Sequence, residues 1–240
     1  MVDPVDIVIP LGTGSRRNND ELRLLLRSLA VNGRNYRGVI IVASTPPEWL
    51  QNVRVLQMDD PLEHNKDGNI IRKVLAGMRL DYVTPEVVVS WDDIVYLRPF
   101  DFAALPPIFN ARGPEAFPET GSIWQRRVRR TFDFLASRGV VLEHNFESHT
   151  PHRYPVRRLL RAMRDIDFAG DIGYSIDTLF HGVLGISGGF DQGLFKETRE
   201  TPGTAKLDKM IIGYNDAAFL GGLREQLFGV FAKPSKYEKD

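Results

Sequence analysis

Residues 86–93 read Glu-Val-Val-Val-Ser-Trp-Asp-Asp, and this stretch decides the fold class. Its short apolar run of β-branched residues predicts a strand that is buried on both faces. Similar runs occur at Val5–Ile9, where Pro10 is expected to end the strand, at Gly38–Ala43 and at Val53–Met58. Strands of this kind are typical of parallel sheets covered by helices on both sides.

Helices with apolar residues three and four positions apart are predicted between these strands. The first follows Asn19 or Asp20 and ends before Gly33, and the second starts at Asp67 or Asn69. Alternating strands and helices predict an α/β fold with a mostly parallel sheet.

The pattern is less regular in the second half of the chain. Residues 99–122 predict long loops, and residues 167–195 give no clear assignment. Helices are predicted at 123–138, 156–164 and 215–231. We therefore expect a single domain over residues 1–240, with a regular half (1–98) and a loop- and helix-rich insertion in the second half (99–240).

Composition excludes several classes of protein. The chain has 240 residues, 31 basic and 31 acidic side chains, and no cysteine. These counts exclude a disulfide scaffold, a cysteine-ligated metal centre and a thiol nucleophile. No signal peptide and no run of about 18–20 apolar residues is evident, so a cytoplasmic protein without membrane insertion is expected, in the host cytoplasm if the chain is viral.

Asp92 and Asp93 directly follow the predicted strand at 86–91. In α/β sheets, ligands bind at the carboxyl ends of the strands, so this pair is expected at the binding edge. Two adjacent carboxylates there could hold Mn²⁺ or Mg²⁺ and so neutralise a diphosphate. The alternative is a solvated acidic turn or a helix cap.

The loop after the first strand is expected at the same edge. Gly12, Thr13 and Gly14 would let the backbone approach a ligand, and Arg16 and Arg17 supply charge for phosphate. The pattern matches neither a dinucleotide fingerprint nor a P-loop, so an ordinary loop is the alternative.

Two aromatic side chains are further candidates. His149 lies in a polar segment and could be a metal ligand, a phosphate contact or a proton carrier, although a lone loop histidine is often only solvated. Trp91 precedes the acidic pair and could stack on a sugar or base, or simply fill the core at a strand end.

Arginine is concentrated between positions 126 and 164. This segment holds ten arginines, no lysine and three acids. Arginine without lysine suits bidentate phosphate contacts, so a polyanionic acceptor such as DNA is one interpretation, and solvated helix faces are the other. The expected acceptor-binding residues are Arg126, Arg127, Arg130, Arg157, Arg158 and Arg161.

Several blocks, taken in order, resemble the Stealth family of sugar-phosphate transferases. These blocks are residues 19–29, 39–42, 47–55, 90–96, 149–152, 214–216 and 234–239. The resemblance implies a GT-A-like (Rossmann-like) fold, a nucleotide-sugar donor and a divalent cation near Asp92 and Asp93. It also implies site roles for His149, Asn215 and Asp216.

The chain departs from the family pattern at three positions. Thr13 stands where the family has an acidic segment, Trp91 replaces an asparagine, and Gly173 stands in the place of an arginine. These losses are hard to reconcile with unchanged transfer of a phosphosugar, in which positioned charges supply most of the catalysis.

The function expected from these observations is a metal-dependent glycosyltransferase. Asp93, His149 and Asp216 are the expected catalytic residues, with Asn69 and Trp91 among those that bind the donor, favoured as a UDP-sugar. Residues 1–98 are expected to form the half that binds the nucleotide-sugar and residues 99–240 the half that binds the acceptor. The acceptor could be DNA, as in a phage-type enzyme that modifies hydroxymethylated bases, or a glycan. The alternatives are a Stealth-type hexose-1-phosphate transferase and a non-catalytic module that binds a nucleotide-sugar or nucleic acid.

Overall fold

The protein is described here by a computed structural model that covers residues 3–12, 17–170 and 172–239. Its helices are α1 (Asp20–Asn32), α2 (Lys66–Met78), α3 (Ile123–Ser137), α4 (Val156–Ala162), α5 (Ile176–Val183), α6 (Asp216–Ala218) and α7 (Arg224–Val230). Its strands are β1 (Val5–Leu11), β2 (Gly33–Arg34), β3 (Tyr36–Ala43), β4 (Arg54–Gln57), β5 (Glu86–Val89), β6 (Ile94–Tyr96), β7 (Phe100–Asp101), β8 (Ile108–Phe109), β9 (His152–Pro155), β10 (Phe190–Asp191), β11 (Lys196–Arg199) and β12 (Ile211–Tyr214).

The main sheet has the strand order β4-β3-β1-β5-β9. The first four strands are parallel, and β9 pairs with β5 in the antiparallel direction. All seven residues of β1 are buried, as expected for a central strand beneath helices. The predicted α/β fold with a mostly parallel sheet and flanking helices is confirmed.

Pro10 lies inside β1 and does not end it, so that prediction is wrong. The β1–β5 pairing stops at Val8 and Val89. The amide of Ser90 donates to the Val8 carbonyl at 3.0 Å, so the backbone of Val8, and that of Pro10 two residues later, faces the β5 side. Within the described part of the chain, no strand pairs with β1 on that side at Pro10, so proline fits there without loss of a hydrogen bond between strands.

A smaller sheet, with the order β11-β12-β6, packs beside the main one. β6 is antiparallel to β12 and β11 is parallel to it. Asp92 and Asp93 lie in the short link between β5 and β6, so the acidic pair joins the two sheets.

Three predicted elements differ from the structure. α2 begins at Lys66, before both expected starts, because the Asn65 side chain accepts from the Gly68 amide at 2.8 Å and caps the helix. The C-terminal helix is broken into α6 and α7, since Gly222 has a φ of 111° in the turn between them. The strand β4, predicted to be buried on both faces, lies at the edge of the sheet with Arg54, Val55 and Gln57 exposed. The strand β9 is an addition that the sequence analysis did not predict.

Within the described residues, no helix is both long enough and apolar enough to cross a membrane.

Candidate active site

A cavity of about 570 Å³ opens at the carboxyl edge of the main sheet. It lies where β1 and β5 end and where α2 begins, as the rule for α/β sheets predicts. Its described lining residues are Pro10, Leu11, Gly12, Glu21, Asp60, Leu62, Glu63, Lys66, Asn69, Ile70, Lys73, Trp91, Asp92, Asp93, His149 and Asp216.

The acidic pair meets a histidine in this cavity. Oδ1 of Asp93 lies 2.5 Å from Nε2 of His149, although the two residues are 56 positions apart in sequence. The His149 ring also stacks on Trp91, with ring centroids 5.8 Å apart and an interplanar angle of 17°. The structure therefore brings together three residues that the sequence selected separately.

Neighbouring contacts fix the turn that carries the pair. The Ser90 hydroxyl lies 2.8 Å from the Tyr96 hydroxyl across the turn, and both residues are buried. The Trp91 indole N–H donates to the Thr150 carbonyl at 3.2 Å, which joins this turn to the segment that carries His149. Trp91 is 7% exposed, so it is a core residue with one edge on the cavity.

The two carboxyl groups have different electrostatic environments. Burial, followed by the adjacent charge of Asp93, raises the pKa of Asp92 to about 7. Burial also acts to raise the pKa of Asp93, but the charge and hydrogen bond of His149, followed by the charge of Lys196, hold it below its ordinary value. The Asp93 side chain still keeps 34% exposure toward the cavity.

Carboxylates and imidazole are ligands that hard and borderline divalent cations accept, so this donor set fits Mn²⁺ or Mg²⁺. Within the described residues, no three His, Cys, Asp or Glu side chains form a preassembled metal cluster. Oxygen atoms of a bound ligand and water would therefore have to supply part of the metal coordination.

Lys73 is a cavity residue that the sequence analysis missed. It is 1% exposed, and its ammonium donates to the Leu11 carbonyl at 2.8 Å and to Asp60 at 2.7 Å. This cation ties the end of β1 to the loop after β4. Lysine is usually exposed, so the sequence suggested that Lys73 lies on the surface of α2. The only sign of its burial was its position among apolar residues of the helix.

Glu21 was also missed, although it lines the cavity from the first turn of α1. Burial and the charge of Asp93 are the larger causes of the raised pKa of Asp92, a backbone hydrogen bond opposes them, and the charge of Glu21 raises the pKa further. An acid in the first turn of a helix is usually assigned to the helix dipole, so its sequence position did not point to a site.

The predicted donor-binding residues are placed unevenly. Gly12, Asn69 and Trp91 line the cavity, as does the predicted catalytic residue Asp216. Thr13, Gly14 and Arg16 lie outside the described residues. Arg17 is exposed and is not among the described lining residues. Asn215 also does not line the cavity, and its side chain caps α6 by accepting from the Ala218 amide at 3.0 Å.

None of the six predicted acceptor arginines is among the described residues that line the cavity. Arg127 is buried, with its guanidinium 3.1 Å from Asp67 and bonded to the Ile172 carbonyl at 2.6 Å. The Arg130 guanidinium lies 5.0 Å from the ring centroid of Tyr174.

The three arginines of α4 belong to a helix that begins beside Pro85, at the amino end of β5 and away from the cavity. Arg158 donates to the Leu184 carbonyl at 3.1 Å. Arg157 and Arg161 are exposed, and so is Arg158. Arg126 is half-buried in α3. Acceptor binding by these arginines stays a prediction.

Gly173 has a structural reason to be glycine. Its φ is +66°, and a Cβ at this position would lie 2.4 Å from Oδ1 of Asn65, the cap of α2. An arginine in the place that the Stealth pattern gives it would not fit this backbone without moving Asn65.

Comparison with known proteins finds similarity in structure alone. No protein-family model and no curated protein sequence matches the chain. A crystal structure of an active-site mutant of LgtC superposes with a TM-score of 0.54 at 11% identity, covering 96% of this chain and 98% of that one. Mouse xyloside xylosyltransferase 1, in its apo form, gives a TM-score of 0.42 at 12% identity, covering 98% and 96%. The likeness to LgtC shows that the chain has the GT-A fold.

Proposed function

We propose that this chain is a metal-dependent glycosyltransferase that moves a sugar from a nucleotide-sugar donor, with UDP-sugars favoured, to an acceptor hydroxyl. The observation that carries this proposal is the cavity at the carboxyl edge of the sheet, in which Asp92, Asp93 and His149 converge. The GT-A fold supports it, because nucleotide-sugar transferases use this fold.

Asp92 and Asp93 would hold Mn²⁺ or Mg²⁺ with His149. The pKa of Asp92, raised to about 7 by burial and then by the charge of Asp93, means that ionising Asp92 here is unfavourable, and a bound cation would offset that cost. When bound, the cation would stabilise the diphosphate as a leaving group.

The side chains around the pair have separate roles in this proposal. Gly12 would let the donor approach the end of β1, and Asn69 and Trp91 would contact the donor from α2 and from the acidic turn. Asp216, exposed at the start of α6, would accept the proton of the acceptor hydroxyl as the new bond to the anomeric carbon forms and the nucleoside diphosphate departs. His149 is less suited to that role because its Nε2 already contacts Asp93.

The acceptor is proposed to be DNA with a hydroxymethylated base, or else a glycan. The argument for DNA rests on the exposed arginines Arg157, Arg158 and Arg161 of α4, since Arg127 of α3 is buried and bonded within the protein. Duplex binding measured by electrophoretic mobility at low salt tests this version, and no retarded band at micromolar protein would remove it.

A Stealth-type hexose-1-phosphate transferase is the second candidate, favoured by the order of the matching sequence blocks. The two reactions leave different products: a glycosyl transfer from a UDP-sugar releases UDP, whereas a phosphosugar transfer releases UMP. A non-catalytic module that binds nucleotide-sugar or nucleic acid would release neither.

A thermal-shift screen tests the proposed function. Ligands that bind the folded state raise the melting temperature by mass action, so nucleotide-sugars together with Mn²⁺ should give the largest increase. Sugar phosphates lacking the nucleoside should give none. The best donor is then incubated with acceptors, and the released nucleotide is identified by chromatography. If no nucleotide-sugar shifts the melting temperature with either metal, the proposal is wrong.

A further inference from the structure

A buried lysine lies behind the contact between Asp93 and His149. Lys196, the first residue of β11, is 7% exposed. Its ammonium donates to the backbone carbonyls of Ser148 and His149, at 2.9 and 3.0 Å. Lys196 is not among the described residues that line the cavity, so its contacts point to a role through the backbone and not through the substrate.

The path of this side chain depends on a glycine in the next strand. β11 pairs with β12 so that Lys196 is opposite Ile211, and the lysine side chain passes over Gly213, two residues further along. A Cβ on Gly213 would lie 2.5 Å from Cε and 2.9 Å from Nζ of Lys196. The absence of a side chain at position 213 therefore makes room for the ammonium.

The two carbonyls that accept hydrogen bonds from Lys196 are consecutive in sequence. In an extended chain, consecutive carbonyls point to opposite sides. The carbonyls of Ser148 and His149 can converge on one ammonium because the backbone of His149, which joins the two peptide planes, is in a helical conformation. His149 has a φ of 52°, in the left-handed region that a non-glycine residue adopts at a cost. The ammonium binds both carbonyls in this conformation and so stabilises it.

The same backbone conformation determines where the His149 ring lies. It places Nε2 beside Asp93 and the ring face against Trp91. If the ammonium were removed, the segment could relax toward an extended conformation, and the ring would leave both contacts.

We propose that Lys196 is a positioning residue that holds His149 against Asp93 through the two carbonyls, and that Gly213 is glycine to admit its ammonium. The effect on catalysis rests on the proposed function. The effect on the position of His149 does not.

The variant Lys196→Met tests the proposal, because methionine keeps an apolar chain of similar length and removes the charge. Loss of a residue that orients a metal ligand typically costs about 10–100-fold in metal affinity or activity. We expect Mn²⁺ affinity and kcat to fall by that factor, with the KM for the donor nearly unchanged. We also expect the NMR signals of the His149 ring to lose the shift caused by Trp91.

Lys209→Met is the matched control. Lys209 also donates to a backbone carbonyl, that of Gly193 at 2.8 Å, but it is not among the described cavity residues. This variant should keep the His149 ring signals, Mn²⁺ affinity and kcat of the wild-type protein. His64, which is exposed, serves as the reference ring in every spectrum.

A pair of alanine substitutions tests the role of Gly213. Gly213→Ala should reproduce the effects of Lys196→Met while leaving the lysine in the sequence. In the double variant, Gly213→Ala should add nothing to the effects of Lys196→Ala, because the lysine side chain that it would displace is already absent. This non-additivity is expected of two residues in one interaction. If Lys196→Met does not fold, Gly213→Ala carries the test alone.

The outcomes separate this inference from the proposed function. Displaced His149 signals in a protein that transfers no sugar would support the role of Lys196 and overturn the transferase. A folded Lys196→Met protein with wild-type His149 signals and wild-type Mn²⁺ affinity would overturn the role of Lys196, whatever its activity.

Discussion

A carboxylate and an imidazole that are 2.5 Å apart at the edge of the main sheet lie at the centre of the proposed active site. Asp93 reaches the centre from the end of β5 and His149 from the segment before β9, so distant parts of the chain supply them. Because Asp93 keeps its charge beside His149 while the pKa of Asp92 is raised to about 7, Asp93 would be the stronger ligand of the proposed cation near neutral pH.

Asp93→Asn should abolish the rise in melting temperature caused by Mn²⁺. It should also lower kcat by more than the ~10–100-fold typical for loss of a residue that only orients a metal ligand. The asparagine removes the charge and keeps the size, so the melting temperature without metal should change little. Asp133→Asn is the control, since that aspartate is 56% exposed and pairs with Arg129 on the surface of α3. Metal-dependent stabilisation that survives in Asp93→Asn would contradict the assignment.

The buried contacts of Lys73 should contribute to the free energy of unfolding. Lys73→Met leaves Asp60 and the Leu11 carbonyl without their cation. Breaking a buried ion pair costs about 3–5 kcal/mol, and because Asp60 keeps 23% exposure we expect a loss of about 3 kcal/mol in urea unfolding. Lys66→Met, an exposed neighbour on the same helix, should stay within roughly 0.5 kcal/mol of the wild-type protein. Equal effects of the two changes would contradict the structural role of Lys73.

The start of α2 depends on the fit between Asn65 and Gly173. The Asn65 side chain caps α2 and donates to the carbonyls of Phe168 and Gly170, at 2.8 and 2.7 Å. The close backbone of Gly173 leaves no space for a Cβ beside it. Since Lys66, Asn69 and Lys73 of α2 line the cavity, this fit also supports the site.

Gly173→Ala should therefore lower the free energy of unfolding by more than the strain of a left-handed backbone alone would. Gly139→Ala is the matched control, because Gly139 has a φ of +79° and nothing within 4 Å of the added Cβ. The control should lose roughly 1–2 kcal/mol from backbone strain. Gly173→Ala should lose about 3 kcal/mol, since Asn65 must also move. Urea unfolding measures both, and equal losses would mean that Asn65 adjusts freely.

The sequence predicted the elements whose patterns are strong and missed those whose patterns are weak. The apolar runs of β1, β3 and β5 allow only buried strands. β9 has four residues, His-Arg-Tyr-Pro, of which only alternate ones are buried, so it lacks such a run. The turn at Gly222 interrupts a helical pattern that continues on both sides of it.

Asp92, Asp93 and His149 were predicted from their positions, whereas Lys73 and Lys196 are buried by tertiary contacts that no local pattern reveals.

The segment 235–239 joins α1 to the loop after β3, through backbone hydrogen bonds to Gln51 and Trp49 on the loop side. Nη1 of Arg23 and Nη2 of Arg27 lie 3.0 and 2.8 Å from Oε2 of Glu238, whose side chain is 1% exposed. The Tyr237 hydroxyl lies 2.8 Å from that of Tyr36. These contacts connect positions more than 200 residues apart, and they stabilise the helix that carries Glu21 to the cavity.

Glu238 gives the fold a predictable dependence on pH. Burial acts to raise its pKa, but the hydrogen bond from Arg27, the Ser235 amide and the charge of Arg27 lower it to about 2. Because the folded-state pKa is below the unfolded value, the contribution of Glu238 is present above pH 4.5 and is lost as the pH falls toward 2.

Glu238→Gln should thus lower the free energy of unfolding by about 2 kcal/mol at pH 7, a figure reduced for partial solvent screening. The difference from the wild-type protein should shrink progressively below pH 4.5. Urea unfolding across this range measures it, with the exposed Glu119→Gln as the control that changes nothing at any pH. A difference that is the same at pH 7 and at pH 3 would contradict the ion-pair argument.

The position of Asp92 and Asp93 in the link between β5 and β6 limits how the gene can vary. An inserted or deleted codon there would shift β6 against β12 and rotate the carboxylates away from His149 in the same event. Length changes at this junction would thus damage architecture and chemistry together, whereas the open turn at Gly139 offers space for added residues. Descendants of this sequence should differ in length at such turns and keep the junction at its present number of residues.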